Sequence, residues 1–469
     1  MIVMKFGGTS VGDARAIRSA AEIVRKAFVD EGEKVVVVVS AMSGVTDALI
    51  KGATTASRQD GETFLRIKGS LQEMHRWAIE ELIKKEESRQ ALLKELEALL
   101  EDFENLCRSI FILGELTARG LDVVSSLGER IMARIMAASL NELGLTTEVV
   151  EATRLIVTDD NYGVASPLMD ETRAKVLAVL LPSLEKGITP VVTGFIGATR
   201  EGVITTLGRG GSDYTASILG HCLNSREIWI WTDVDGVMTA DPRVVPEART
   251  LPEISYAEAA ELSFFGAKVL HPKTILPAVE SGIPLRIKNT FNPTNPGTLI
   301  VKEARQNTTT AKSITAIRDM SLITVEGRGM LGVPGVAAKV FSAVAREGIN
   351  VLMISQSSSE QNICFVIRRD STAQAIGALM EEFEVERARR NIDRIWAQEN
   401  VAIVAVVGAG MRGTPGIAAK VFGALGRNGI NVIAIAQGSS EYNISFVIEE
   451  KDVASAMRHI HSEFGLSRL

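Results

Sequence analysis

Three cysteines in 469 residues, Cys107, Cys222 and Cys364, leave little scope for disulfide or zinc chemistry. They are far apart, odd in number and form no C-x-x-C pair, so they read as buried thiols of a reducing compartment. An excess of basic residues is also missing: 51 Lys and Arg stand against 57 Asp and Glu, a formal net charge of −6. Nucleic-acid binding calls for a basic stripe, and none is present. The longest apolar runs, such as Val35–Val39 and Val176–Leu181, are far too short to span a bilayer. Met1 runs straight into a strand-like segment, Ile2–Phe6, with no cleavable leader. A cytoplasmic protein with neither nucleic acid nor membrane as partner is the expectation. No Walker A stretch, G-x-x-x-x-G-K-[ST], occurs either, so phosphate binding has to use other loops.

What is present suits a soluble chain of two or three cores: 46% of residues are hydrophobic and 23% charged. Up to residue 302, β-branched runs alternate with amphipathic helical stretches. Val35–Val39, Val191–Thr193 and Glu227–Thr232 are each followed closely by Gly, Ser or Asp. Such runs predict an α/β domain, a largely parallel sheet sandwiched by helices. Residues 62–106 differ, being dense in Glu, Lys and Leu, with Leu92, Leu93, Leu96, Leu99 and Leu100 at helical spacing. They read as amphipathic helices added outside the sheet. Turn chemistry in Asn289–Gly297 closes this domain, and the polar run Glu303–Ser313 reads as a linker.

Beyond the linker lies a repeat. Val325–Ile367 returns as Val406–Ile448, with about 28 of 43 positions identical in a gapless alignment. Two modules, 313–392 and 398–469, follow from it. Each contains G-x-G-x-x-G, at Gly327–Gly332 and Gly408–Gly413, which taken alone suggests a dinucleotide fingerprint. The second strand, however, ends in Gln356 rather than an acid, and only a short polar turn separates it from Ile363–Ile367. A connection that short makes an antiparallel hairpin, not a crossover. Each module therefore reads strand, helix, strand, strand, helix, an α+β unit with an antiparallel sheet. Its glycine loop, with Gln356 and Asn362 or with Gln437 and Asn443, suits the carboxylate of a free amino acid. A tight structural turn bridging two modules explains the same glycines.

Three motifs in the first domain can carry chemistry. Lys5-Phe-Gly7-Gly8-Thr-Ser sets a point charge beside glycines that let backbone approach a phosphate. Gly208-Arg209-Gly-Gly-Ser-Asp213 opens a helix; Arg209 can grip a carboxylate, and Asp213 is either functional or an N-cap. Trp231-Thr232-Asp233-Val-Asp235-Gly, continuing to Asp241-Pro-Arg243, suits a nucleotide or Mg2+, or is a surface loop. All three sit where strands of one parallel sheet end, the edge at which such sheets bind ligands.

Together with Ser126-Leu-Gly-Glu129 and Phe265-Gly-Ala-Lys268-Val-Leu-His271-Pro, these motifs resemble the amino-acid kinase family, and within it the aspartokinases, over essentially the whole chain. The repeat resembles a pair of ACT domains, with likeness to threonine-sensitive, archaeal-type members. The resemblance implies transfer of the γ-phosphate of ATP to the β-carboxylate of L-aspartate, with Mg2+, as the first step toward lysine, threonine and methionine. It makes Lys5 and Asp213 catalytic, gives the α-ammonium of aspartate to Glu129 and its α-carboxylate to Arg209, and lines that pocket with Ser40 and Thr46. Gly7, Gly8, Thr232, Asp233, Asp241, Arg243 and Lys268 would hold the nucleotide. Met238 departs from the tyrosine many relatives carry near the base. The resemblance further implies feedback control by an amino acid, threonine before lysine, and a homodimer or tetramer formed through the ACT modules. His271 reads as structural.

The nucleophile of that reaction is a carboxylate already ionised at neutral pH, so positioning and charge compensation suffice without a general base. Rival readings are a glutamate or uridylate kinase, a catalytically dead sensor, and a dehydrogenase. The Glu129 motif, the presence of Lys5, Arg209 and Asp213, and a chain that ends directly after the second module argue against them in turn.

Overall fold

The computed structural model describes residues 1–266, 270–304, 310–357, 361–438 and 440–468. The chain forms two compact units. The first comprises Met1–Val237, Pro252–Tyr256 and Val269–Ala304; the second comprises Met238–Leu251, Ala257–Lys268 and Arg305–Leu469. Two segments of the expected first domain, 238–251 and 257–268, thus cluster with the C-terminal unit.

In the first unit, β1 (Ile2–Phe6), β2 (Val35–Val39), β3 (Thr147–Val150), β4 (Thr189–Thr193), β7 (Glu227–Thr232), β8 (Glu253–Ser255), β9 (Leu285–Asn289) and β10 (Thr298–Val301) make one sheet. Its order is β3-β4-β2-β1-β7-β9-β10-β8, and every pair except β9–β10 is parallel. The five valines of β2 are completely buried, as a central strand covered on both faces requires. Each contributes roughly 1.5–3 kcal/mol by burial. A separate hairpin pairs β5 (Ile196–Ala198) with β6 (Ile204–Thr206).

Helices α1 (Ala14–Arg25), α2 (Val45–Ser57), α5 (Ala118–Ser125), α6 (Leu127–Glu142), α7 (Met169–Glu185), α8 (Gly211–Leu223) and α10 (Leu276–Ser281) belong to this unit. So do α3 (Gly61–Leu82) and α4 (Glu86–Leu113), the helical addition expected between residues 62 and 106. Their Leu71, Leu92, Leu96 and Phe103 enter the same core as Val37 and Leu49, so they pack against the unit rather than standing free. Asp60 caps α3 by accepting the Glu62 and Thr63 N–H groups.

In the second unit, β11 (Ser313–Glu326), β12 (Met353–Gln356), β13 (Asn362–Arg368), β14 (Arg394–Val407), β15 (Ala434–Ala436) and β16 (Asn443–Glu449) form a sheet of order β12-β13-β11-β14-β16-β15. All its pairings are antiparallel, which excludes a dinucleotide fold and fits the short hairpins expected from the sequence. Helices α9 (Tyr256–Phe264, from Ala257 onward), α11 (Val336–Arg346), α12 (Thr372–Glu382), α13 (Glu384–Ala388), α14 (Ile417–Arg427) and α15 (Val453–Glu463) complete it. The repeat reproduces its packing: Phe341 meets Phe365 at 5.7 Å and 67°, and Phe422 meets Phe446 at 5.8 Å and 70°.

The two long strands are exchanged between the modules. Ser313–Ile317 pairs with Ile403–Val407, whereas Leu322–Glu326 pairs with Arg394–Gln398. Each strand turns at a left-handed residue, Asp319 (φ 59°) or Asn400 (φ 56°), residue types that tolerate this conformation. The Arg369 guanidinium donates to both, at 2.8 Å and 2.9 Å. Ser313 and Lys312, expected in a linker, are buried here instead.

Candidate active site

The C-terminal edge of the parallel sheet is drawn together by backbone hydrogen bonds one residue past the strands. Gly194 N–H donates to Val39 O, Ser40 N–H to Phe6 O, Gly7 N–H to Trp231 O and Thr290 N–H to Thr232 O, at 2.9–3.1 Å. Ser40, Gly7 and Thr232, all expected at the site, therefore fall along one line. Gly8 lies where a Cβ would come 3.3 Å from Ala41 O, so the Gly7-Gly8 turn abuts the loop that leads into α2 and Thr46.

Lys5 ends almost wholly buried on β1, with Nζ 2.6 Å from Asp213 Oδ1. Asp213 is the third residue of α8, whose N-cap is Gly210 (φ 72°), so the N-cap alternative for Asp213 does not hold. The glycines serve this start. Gly194 faces Ser212 so closely that a Cβ would lie 2.5 Å from its Oγ. Phe195 adopts φ 72°, held by its N–H donating to Thr215 Oγ1 at 3.1 Å.

Glu129 sits in the first turn of α6 and is 3% exposed. Its Oε1 accepts the Ala41 N–H at 3.2 Å, while Oε2 is buried without a hydrogen-bond partner. Burial pushes the carboxyl up to about 8, against the Ala41 N–H, its own N–H and the Lys5 charge, which all pull it down. Lys5 therefore acts electrostatically on both Asp213 and Glu129. A buried, unpartnered carboxylate oxygen beside a lysine suits an incoming cation such as an ammonium group.

Arg209 is exposed in the loop between Gly208 (φ 76°) and Gly210. Among the described residues no ion pair joins it to Glu129 or Asp213. Asp233 is exposed and accepts from Thr232 Oγ1 at 3.2 Å. Asp241 and Arg243 lie in the second unit, closed on each other at 2.7 Å, with the guanidinium holding the Asp241 carboxyl below its usual range. Lys268 lies outside the described residues.

In the second unit, Gln356 and Gln437 are exposed at or just past the ends of β12 and β15. Asn362 opens β13, half buried, and Asn443 opens β16, donating its amide to the Glu261 carboxylate. Sequence reasoning passed over Asp122, Gly194, Ser212 and the Asn289–Asn292 pair. Both asparagines donate to Asp235, at 2.8 Å and 3.2 Å, tying its loop to the turn after β9. Among the described residues no group of three or more His, Cys, Asp or Glu side chains could hold a metal ion. No helix among them is long and apolar enough to cross a membrane.

Residues 1–289 match the profile of the amino acid kinase family, and 323–383 and 404–464 each match that of the ACT domain. The class of protein is thus an amino acid kinase domain followed by two ACT domains. A bifunctional aspartokinase/homoserine dehydrogenase 1 of Zea mays is 38% identical over 99% of this chain and 50% of its own length. The chain spans about half the length of the curated relatives it matches first. Escherichia coli aspartokinase III in complex with lysine and aspartate superposes with a TM-score of 0.81 at 32% identity, covering 99% of both chains. The same enzyme in complex with aspartate and ADP gives 0.80 at 31%, covering 99% of this chain and 100% of that one. The chain belongs to the aspartokinase family.

Proposed function

We propose that the protein is an aspartate kinase, converting L-aspartate and ATP to 4-phospho-L-aspartate and ADP. The observation that carries this reading is the pairing of Lys5 with Asp213 beside the unpartnered Oε2 of buried Glu129. The α-ammonium of aspartate docks on Glu129, which gives up its proton as the cation arrives. Arg209 takes the α-carboxylate, and Ser40 and Thr46 line the same pocket. The β-carboxylate then attacks the γ-phosphorus, and the bond to the β,γ-bridging oxygen breaks with ADP as leaving group. Lys5 compensates charge on the moving phosphoryl group, and Asp213 holds the Lys5 ammonium in register. Gly7, Gly8, Thr232 and Asp233 are the proposed nucleotide contacts of the first unit. Mg2+ is part of the substrate, arriving on the nucleotide phosphates.

The ACT pair provides feedback control. Threonine is the proposed effector over lysine, from the Gln-Ser-Ser-Ser-Glu and Gln-Gly-Ser-Ser-Glu segments at 356–360 and 437–441. Gln356 and Asn362 of the first module, or Gln437 and Asn443 of the second, are its proposed contacts, and a homodimer or tetramer the proposed assembly. A cytoplasmic location belongs to the same reading, supported by three cysteines that form no disulfide.

The test is acyl phosphate trapped with hydroxylamine from ATP and aspartate, with glutamate as control and threonine or lysine added separately. Aspartate-dependent product suppressed by threonine is expected. Product indifferent to both amino acids removes the effector assignment, and no product from folded protein removes the kinase.

A further inference from the structure

We propose that Asp122 is a positioning residue for aspartate, fixing the segment that carries Arg209 against the helix that carries Glu129; this rests on the reading of the site given above. Asp122 lies on α5 and is 2% exposed. Its Oδ1 accepts the Thr206 hydroxyl at 2.7 Å, and its Oδ2 accepts the N–H groups of Thr206 and Gly163, each at 2.9 Å. A carboxylate taken out of water at this cost is held by three donors, all from two segments distant in sequence.

Those segments lead to the substrate groups. Thr206 ends β6, and the next residues are Leu207, Gly208 and Arg209. Gly163 packs on Gly208 so tightly that a Cβ there would stand 3.1 Å from Gly163 O, and Ala165 N–H donates to Thr206 O at 2.9 Å. The loop around Gly163 is itself closed: Asp159 Oδ1 accepts the Asn161 and Ser166 N–H groups. On the other side, Ser126 N–H donates to Asp122 O at 3.1 Å, and α6 begins at the next residue with Glu129 in its first turn. One side chain thereby joins the carrier of the ammonium acceptor to the carrier of the carboxylate donor.

Aspartate presents its ammonium and α-carboxylate as a pair, so the two protein groups act together only at a fixed separation. Displacements on the order of 1 Å in such two-point recognition cost up to ~100-fold in rate. Lys5 and Asp213 meet through β1 and α8 without Asp122, so the nucleotide side is expected to be spared.

The test compares Asp122→Asn, Thr206→Val and Thr206→Ser with the parent, measuring KM for aspartate and for MgATP, kcat and Tm. D122N keeps the volume but turns one acceptor into a donor facing donors; T206V removes only the hydroxyl; T206S restores it. Expected are a rise of about tenfold or more in KM for aspartate in D122N, a smaller rise in T206V, near-parental values in T206S, and KM for MgATP within about twofold throughout. The double variant D122N/T206V is expected to be no worse than D122N. Parallel rises in both KM values, or an unchanged KM for aspartate, overturn the proposal. If D122N does not fold, the T206V and T206S pair decides by the same criterion. A parent that does not phosphorylate aspartate overturns both this and the kinase reading, whereas an active parent with an unsplit response overturns this one alone.

Discussion

Lys312 and Asp393 occupy equivalent positions of the two repeats with opposite charge, and each settles how its module caps one backbone N–H. In the first module Asp393 Oδ2 accepts the Arg328 N–H at 3.0 Å directly. In the second, the equivalent N–H of Ala409 is met at 2.7 Å by Glu258 Oε1 from α9, while Lys312 Nζ lies 2.9 Å from Glu258 Oε2. Both modules close a carboxylate on the glycine loop. The lysine means that the second must take its carboxylate from α9.

Removing that lysine takes from Glu258, which is completely buried, an ammonium 2.9 Å from its Oε2. Lys312→Met is therefore expected to cost about 3–5 kcal/mol in chemical denaturation. Adding Glu258→Gln is expected to recover part of it, since an amide needs no counter-charge. A loss below 1 kcal/mol in the single variant contradicts this account.

The carboxyl of Glu129, raised to about 8, links protonation to both stability and turnover. Between its ordinary value of 4.5 and about 8, the unfolded chain is ionised there while the folded chain holds the proton. Stability is then fullest below pH 4.5, falls by up to about 1.4 kcal/mol per pH unit across that window, and levels above it. Glu129→Gln is expected to remove this component, so the parent loses stability relative to the variant as pH rises. Because the ammonium of aspartate needs the ionised form, kcat/KM for aspartate is expected to climb with pH, reaching half its maximum near pH 8 and levelling above it. A flat profile between pH 6 and 8 contradicts this.

Lys5→Met removes the cation paired with Asp213 at the end of β1. A fall of about 10²–10³-fold in kcat is expected, in the range seen when one transition-state charge partner is deleted. KM for aspartate should change far less. Retention of a tenth of the parental kcat would assign the phosphoryl charge to another group.

Gly194 offers a steric test of the same geometry. A Cβ there would stand 2.5 Å from Ser212 Oγ and 2.8 Å from Val39 O, so Gly194→Ala must push the start of α8, and Asp213 with it, away from Lys5. A loss of about 1–3 kcal/mol is expected, with kcat down on the order of 100-fold. Adding Ser212→Gly should relieve only part, because the Val39 carbonyl remains.

Much of this site was legible because strand ends announce themselves. Strand-like runs at Ile2–Phe6, Val35–Val39 and Glu227–Thr232 gave way to Gly, Ser or Asp where the parallel sheet stops, and those residues line up in the structure. Glu129, by contrast, is a lone acid on a helix and entered only through family resemblance. Asp122 shows no local pattern at all, since its partners Thr206 and Gly163 lie far along the chain. Lys312 was read as part of a linker because a polar run looks solvated until a buried partner such as Glu258 is known. The same blindness hid the allegiance of 238–251: Ala240 and Val245 join the core of the second ACT module, which periodicity in so short a loop does not reveal.

Glu258 and Glu261 also bear on where an effector acts. At the second module, Ala409 N–H and the Asn443 amide already serve carboxylates of α9. An amino acid binding there has to displace two ordered acids, whereas at the first module the loop is capped by Asp393, the residue before β14. Gln356→Ala or Asn362→Ala is therefore expected to raise the threonine concentration for half-inhibition about tenfold or more, and Gln437→Ala to change it less than twofold. Thermal shift gives an independent measure, since threonine at ten times its Kd should add about 1.4 kcal/mol of stability to the parent. That gain should survive in the Gln437 variant and vanish in the Asn362 variant at the same concentration. Equal losses in both would mean that α9 yields its place and the second module binds as well.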